Sequence, residues 1–217
     1  MATIRGYALR EGVTGMDRTS LFFAFYSLIL GLAITEILSG FGRFLRSHTT
    51  HKLGSQITLL ALLTFVSITA TWIDAFRTLQ SIELDVASLW APILTATLYY
   101  LAATVVFPSS AVDFECADGY FERHKRFVVS MLFACELLVT YTLLPIIRHG
   151  IAAQPQVFVL FYLPLHLVLK GSYVGLLLAR RRRWNQFWMA LLICVMMFVY
   201  WDNGATARII GQRYASG

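Results

Sequence analysis

Six stretches of about 20 residues, each almost free of charge, run through this sequence, and few folds can house them. That is the length an α-helix needs to cross ~30 Å of hydrocarbon at ~1.5 Å per residue. The stretches cover residues 20–42, 56–76, 87–108, 127–147, 156–179 and 184–201. Their only Asp, Glu, Lys or Arg residues are Glu36 in the first, Asp74 in the second, Glu136 in the fourth and Lys170 in the fifth. A backbone in lipid must satisfy its own hydrogen bonds, and runs this long do so as helices. The sequence therefore predicts an all-α, polytopic membrane helix bundle of about six transmembrane helices, forming one domain over residues 1–217. Charged residues make up only 14% of the chain, against about a quarter in soluble domains. Mean hydropathy is +0.65. The five tryptophans, Trp72, Trp90, Trp184, Trp188 and Trp201, lie toward the ends of their runs, where an amphipathic ring prefers the headgroup level.

The net charge of +6 would raise nucleic acid as a partner in a soluble protein. Here the basic residues sit at the ends of apolar runs, as with Arg180, Arg181, Arg182 and Arg183. Topology and anionic lipid explain them better, so the expected partner is the lipid bilayer and not nucleic acid. The first, third and fifth connections carry ten Lys and Arg residues, against seven on the opposite side. Those three loops are therefore read as cytoplasmic and both termini as outside. Met1 to Ser20 is polar and shows no signal-peptide pattern. Cys116, Cys135 and Cys194 cannot form a full disulfide set, and the two inside apolar runs read as small core residues.

The longest connection, residues 109–126, has Asp113, Glu115 and Asp118 early and Arg123, Lys125 and Arg126 late. That order suits a helix macrodipole. With Val112, Phe114, Tyr120 and Phe121 resting on the membrane surface it would make an interfacial helix; a solvated loop is the equal alternative.

Ionisable groups within spans carry the functional argument, because each costs at least ~2.5 kcal/mol at a helix centre unless it has a partner, a wet cavity or a task. In the fifth run Tyr162, His166, Lys170 and Tyr173 are spaced by four, four and three residues, so they share one helix face. Lys170 lies some ten residues from the Arg180 cluster, too deep to snorkel easily. Glu136 sits at similar depth in the fourth run, and a Glu136–Lys170 ion pair beside His166 is the simplest way to satisfy both. The second run carries a polar stripe of Thr64, Ser67, Thr71 and Asp74 that must face protein or water, and Arg77 is placed to pair with Asp74. Glu36, Glu136 and Asp74 step through the membrane from one side to the other. With Ser67, Thr71, Tyr162, His166, Lys170 and Tyr173 they form a candidate ion or proton path; the bland alternative is structural pairs that fix helix register. Gly31, Thr35 and Ser39, four residues apart, form a small-residue face for another helix or a second copy of the chain.

No HExxH, GxSxG, P-loop or GxGxxG pattern is present. His48 and His51 lack nearby Cys or carboxylate ligands. Asp113, Glu115, Cys116, Asp118 and His124 are more simply a solvated loop than a metal centre. The reading thus includes no metal, no cofactor and no catalytic residue.

Ile29-Leu30-Gly31-Leu32 through Gly40-Phe41-Gly42-Arg43 resembles the first helix of a functionally undefined group of short bacterial multi-spanning inner-membrane proteins. Tyr99-Tyr100-Leu101-Ala102 through Phe107-Pro108, and Tyr120-Phe121-Glu122-Arg123-His124-Lys125-Arg126-Phe127, resemble the same group. The resemblance covers about a third of the chain. It implies a bacterial inner (cytoplasmic) membrane and carries over no site. The leading expectation is a channel or transporter that moves protons or small ions through a polar bundle interior and assembles as a homo-oligomer. The alternative is a non-catalytic membrane subunit or scaffold.

Overall fold

Apolar residues three and four apart give this chain helices with one face to bury and another to leave outward. In the computed structural model, which describes residues 18–47, 54–78, 86–108, 117–153 and 155–202, all regular structure is helical. The helices are α1 (Arg18–Ser47), α2 (Ser55–Thr78), α3 (Val86–Val106), α4 (Ala117–Thr142), α5 (Leu144–Ala153), α6 (Leu163–Leu178) and α7 (Arg182–Asp202). Pro155–Val157 and a π-helical segment, Phe158–Tyr162, lead into α6.

Long helices successive in the chain run antiparallel, as the Trp72–Ser27, Cys135–Thr95 and Lys170–Glu136 contacts show, and the helices close a ring in the order α1, α3, α4, α6, α7, α2. α2 also packs on α3 and α4, which draws it toward the middle. Half of its apolar window is buried, against 24–39% for the other three apolar spans. The core is assembled from Tyr26, Leu30, Leu63, Ile68, Tyr99, Leu132, Tyr173, Leu176, Met189 and Leu192 among others. Large apolar side chains such as Leu28, Leu32, Trp90, Leu160, Leu178 and Phe198 point outward, as lipid-facing residues do.

Among the described residues four segments are long and apolar enough to cross a membrane: Ser20–Arg46, Ser55–Phe76, Leu89–Val106 and Phe158–Leu178. The sequence reading has six, and the two that fall short have polar openings. α7 begins with Arg182, Arg183, Asn185 and Gln186, and α4 with Asp118, Glu122, Arg123, Lys125 and Arg126. The fourth run is also not one helix from 127 to 147. It turns at Leu143, and Pro145 stands in the first turn of α5.

The segment read as an interfacial helix or loop divides differently. Residues 109–116, with Asp113, Glu115 and Cys116, lie outside the described residues. Ala117–Arg126 is neither a loop nor a separate surface helix but the first part of α4. Tyr120, Phe121, Lys125, Val128, Val129, Leu132 and Cys135 are all buried, at helical spacing that never breaks at the polar-to-apolar boundary. The Tyr120 hydroxyl donates to the carbonyls of Val105 (2.8 Å) and Phe107 (3.2 Å). These belong to the last residues of α3 and just beyond, where a helix end leaves acceptors unsatisfied.

Proline accounts for the other irregularities. Pro108 disfavours helical backbone at Phe107, and α3 stops at Val106. Pro164, in the first turn of α6, cannot donate a backbone hydrogen bond, and the π-helical turn immediately precedes it.

Candidate functional site

The buried polar stripe of α2 is built from residues that satisfy themselves. Thr64 and Ser67 donate to the carbonyls of Leu60 and Leu63, each at 2.8 Å. Thr71 Oγ1 lies 2.9 Å from the Tyr99 hydroxyl on α3. Because these hydroxyls meet their needs locally, this part of α2 can pass through the centre of the bundle without stranding them; the buried Gln56 Nε2, near the start of α2, has no hydrogen-bond partner among the described residues.

Beside this stripe lies a cavity of about 290 Å³ between α2, α3, α4, α6 and α7. Its walls include Ser67, Thr71 and Asp74 from α2, Glu136 and Thr140 from α4, and His166 from α6. Tyr162, at the end of the π-helical turn, and Tyr99 complete the polar part. A second space of about 40 Å³ shares Thr71, Asp74, Val139 and Leu143 with it and reaches Tyr26 and Pro92. One water needs only ~10–15 Å³, so the larger cavity holds many water-sized volumes.

Lys170 Nζ stands 3.7 Å from Glu136 Oε1, and both side chains are largely buried, 26% and 15% exposed. The pairing expected of these residues is present, with His166 Nδ1 3.5 Å from the same ammonium. Thr140, one turn from Glu136, donates back to the Glu136 carbonyl at 2.8 Å.

Of the nine path residues named from sequence, six line the cavity: Ser67, Thr71, Asp74, Glu136, Tyr162 and His166. Lys170 reaches it through Glu136. Tyr173 is fully buried off the wall, its ring 5.7 Å from that of Phe133. Glu36, half-buried on α1, does not line the cavity, so the three acids do not form one staircase. The Arg77 side chain invoked for Asp74 lies outside the described residues. Tyr99 and Met196 were not singled out from sequence, and α3 carries no charge that would have drawn attention to Tyr99.

The opposite end of the bundle holds a polar cluster that the sequence reading missed. Lys125, 3% exposed, donates to the Ala179 carbonyl and to Asn185 Oδ1 at 3.1 Å. Glu122 Oε2 lies 3.7 Å away, and Asn185 Nδ2 donates to Glu122 Oε1 at 3.1 Å. Burial pulls the Lys125 ammonium below the usual lysine pKa, opposed by Glu122 and helped by Arg126. At the rim Arg182 pairs with Asp118 at 3.0 Å and donates to Ser55, which also accepts from Gln186 at 2.7 Å. Together these bonds tie α4, α2 and the α6–α7 connection at that end. One of the four arginines assigned to lipid is thus committed to protein, while Arg180, Arg181 and Arg183 remain exposed. The clue was the spacing of Phe121, Lys125 and Val129, which puts the lysine on the buried face.

Gly31, Thr35 and Ser39 are exposed, and a Cβ on Gly31 would meet nothing within 4 Å. The close helix approaches within the chain lie elsewhere, at Gly40 against Phe107 and Gly175 against Trp188. Cys135 is buried, whereas Cys194 is exposed on α7 and is no core residue. Among the described residues no group of three His, Cys, Asp or Glu side chains is arranged to hold a metal.

No family model matches the chain, nor does any curated protein or solved structure with which it was compared.

Proposed function

We propose that this protein crosses a bacterial inner membrane six times, with both termini outside, and moves protons or small ions through its polar interior. The observation that carries this reading is the single cavity walled by Asp74, Glu136 and His166, from three different helices. Titratable side chains at membrane depth are costly, and a packed structural bundle has no need to gather them around open volume. The exposed Gly31, Thr35 and Ser39 face is the surface through which copies associate as a homo-oligomer, and Arg180, Arg181 and Arg183 meet anionic lipid.

A scaffold reading has one observation in its favour. The Glu136–Lys170 pair joins α4 to α6 at 3.7 Å and would fix their register without any conduction. Flux in liposomes separates the two. Wild-type protein is expected to carry a proton or monovalent-cation current, and Glu136→Gln with Lys170→Met, which removes both charges together, is expected to lower it at least tenfold while remaining folded. A folded double variant with undiminished flux, or a wild type that moves no cation, rejects the transport reading.

A further inference from the structure

The cavity is larger and more apolar than a path for bare ions requires. At about 290 Å³ it stands at the lower edge of the ~300–1,000 Å³ typical of small-ligand sites. Its lining mixes aliphatic side chains, Val139, Leu143, Leu165, Leu169 and Met196, with Glu136 and two tyrosines, Tyr99 and Tyr162. A dehydrated inorganic cation gains nothing from the aliphatic residues. An organic cation gains from both kinds of lining, burying its body at about 25 cal/mol per Å² while its charge meets the carboxylate.

The chain already shows such a group in place. Lys170 brings an ammonium on an apolar stem to within 3.7 Å of Glu136, beyond the ~2.7–2.9 Å of a tight charge-assisted bond. The same ammonium lies 3.5 Å from His166 Nδ1, a second partner that needs no carboxylate. Glu136 is therefore held loosely, by a cation with somewhere else to go.

Building on the transport reading, we propose that the cavity binds a small organic cation with an apolar body, and that Lys170 is its tethered competitor for Glu136. An arriving cation takes the Glu136 carboxylate from the cavity side, and the Lys170 ammonium turns toward His166. On departure Lys170 returns, so Glu136 is never left uncompensated at depth. Around Glu136 the other ionisable or hydroxyl groups of the lining are Ser67, Thr71 and Asp74 from α2, Tyr99 from α3, Thr140 from α4, and Tyr162 and His166 from the α6 side; α7 contributes only Met196 and Val199 to this wall.

The test uses full-length protein in phosphatidylcholine nanodiscs with radiolabelled tetraethylammonium, which is permanently charged, and n-butylammonium as competitor. Wild type is expected to bind the label saturably, with butylammonium displacing it at concentrations where sodium does not. Removing the neighbouring positive charge in Lys170→Met should tighten binding at least tenfold, because a cation within ~6 Å opposes another appreciably even at an effective dielectric constant of ~20. Val139→Phe fills the cavity but leaves Glu136 and Lys170 in place, so it keeps the argument testable should Lys170→Met not fold; it should lose binding at least tenfold. The proposal is overturned if wild type binds neither organic cation, if folded Lys170→Met binds equally or more weakly, or if Val139→Phe binds as wild type does. Should organic cations fail while liposomes still carry protons or sodium, the substrate class alone is wrong; if nothing is carried, the transport reading falls with it.

Discussion

At the scale of single residues, the glycines separate what packs within the chain from what faces outward. A Cβ on Gly175 would sit 2.6 Å from Trp188 Cε2 and 2.8 Å from Cζ2. These are atoms of a rigid, half-buried ring that stands against Phe187, ring centroids 5.2 Å apart, so the indole cannot simply swing aside. Gly175→Ala should gain up to ~1 kcal/mol in helix propensity but lose ~1–3 kcal/mol to overpacking. A net loss of up to about 2 kcal/mol is expected, visible as a lowered Tm in mild detergent. Gly31→Ala meets open space and should leave Tm unchanged or slightly raised. Gly31→Leu should likewise spare the fold of one chain while lowering the oligomer fraction in native mass spectrometry, if copies associate through that face. Equal thermal losses at Gly31 and Gly175 would show that the α6–α7 approach is not the tight one.

At the scale of elements, α4 shows where the sequence was legible and where it was not. Hydropathy marks an apolar run as soon as charge disappears, so the run beginning at Phe127 was plain and Ala117–Arg126 read as a connection. Helix formation ignores that boundary. The buried face of α4 passes from Tyr120 and Phe121 through Lys125 to Val128 and Val129, with charged Glu122, Arg123 and Arg126 turned outward. A reading made from charge alone therefore finds a helix that begins in polar surroundings but places its start too late. Glu136 with Lys170 was legible for the opposite reason, since a charge in an apolar run stands out and has few partners at its depth. The Lys125 cluster was hidden because a lysine among charges in a connection looks solvated. Phe121 and Phe127 distinguish a core helix from a surface one. Phe121 is 1% exposed and Phe127 43%, so Phe121→Ala should cost ~3–5 kcal/mol as a core truncation. Phe127→Ala should cost less than ~1 kcal/mol in thermal or denaturant unfolding. A helix lying on the membrane surface would give small losses at both.

At the scale of the molecule, the two polar assemblies sit at different levels of one ring of helices, and this makes the two ends unequal. The cavity is lined by Asp74 near the end of α2, by Leu143 and Ile147 at and beyond the end of α4, by Tyr162 ahead of α6 and by Val199 near the end of α7. All of these belong to the same end of the ring. The other end is held by Lys125, Asn185, Glu122 and the Ala179 carbonyl, with Arg182, Asp118 and Ser55 around them. Lys125 and Glu136 are eleven residues apart on α4, or ~16 Å along a helix axis, so the cluster lies well below the cavity floor. Under the proposed orientation the cavity end faces outside and the Lys125 end faces the cytoplasm. In a background lacking the three native cysteines, a membrane-impermeant thiol reagent added to intact cells should label Ala152→Cys but not Arg181→Cys. The same reagent should reach Thr140→Cys on the cavity wall from outside, at a slower rate set by the cavity's mouth. From inverted vesicles Arg181→Cys should react and Thr140→Cys should not, because the Lys125 cluster stands between them. Labelling of Arg181→Cys in intact cells would reverse the orientation. Labelling of Thr140→Cys at comparable rates from both sides would mean that the Lys125 end is open, and that the cluster does not close the bundle.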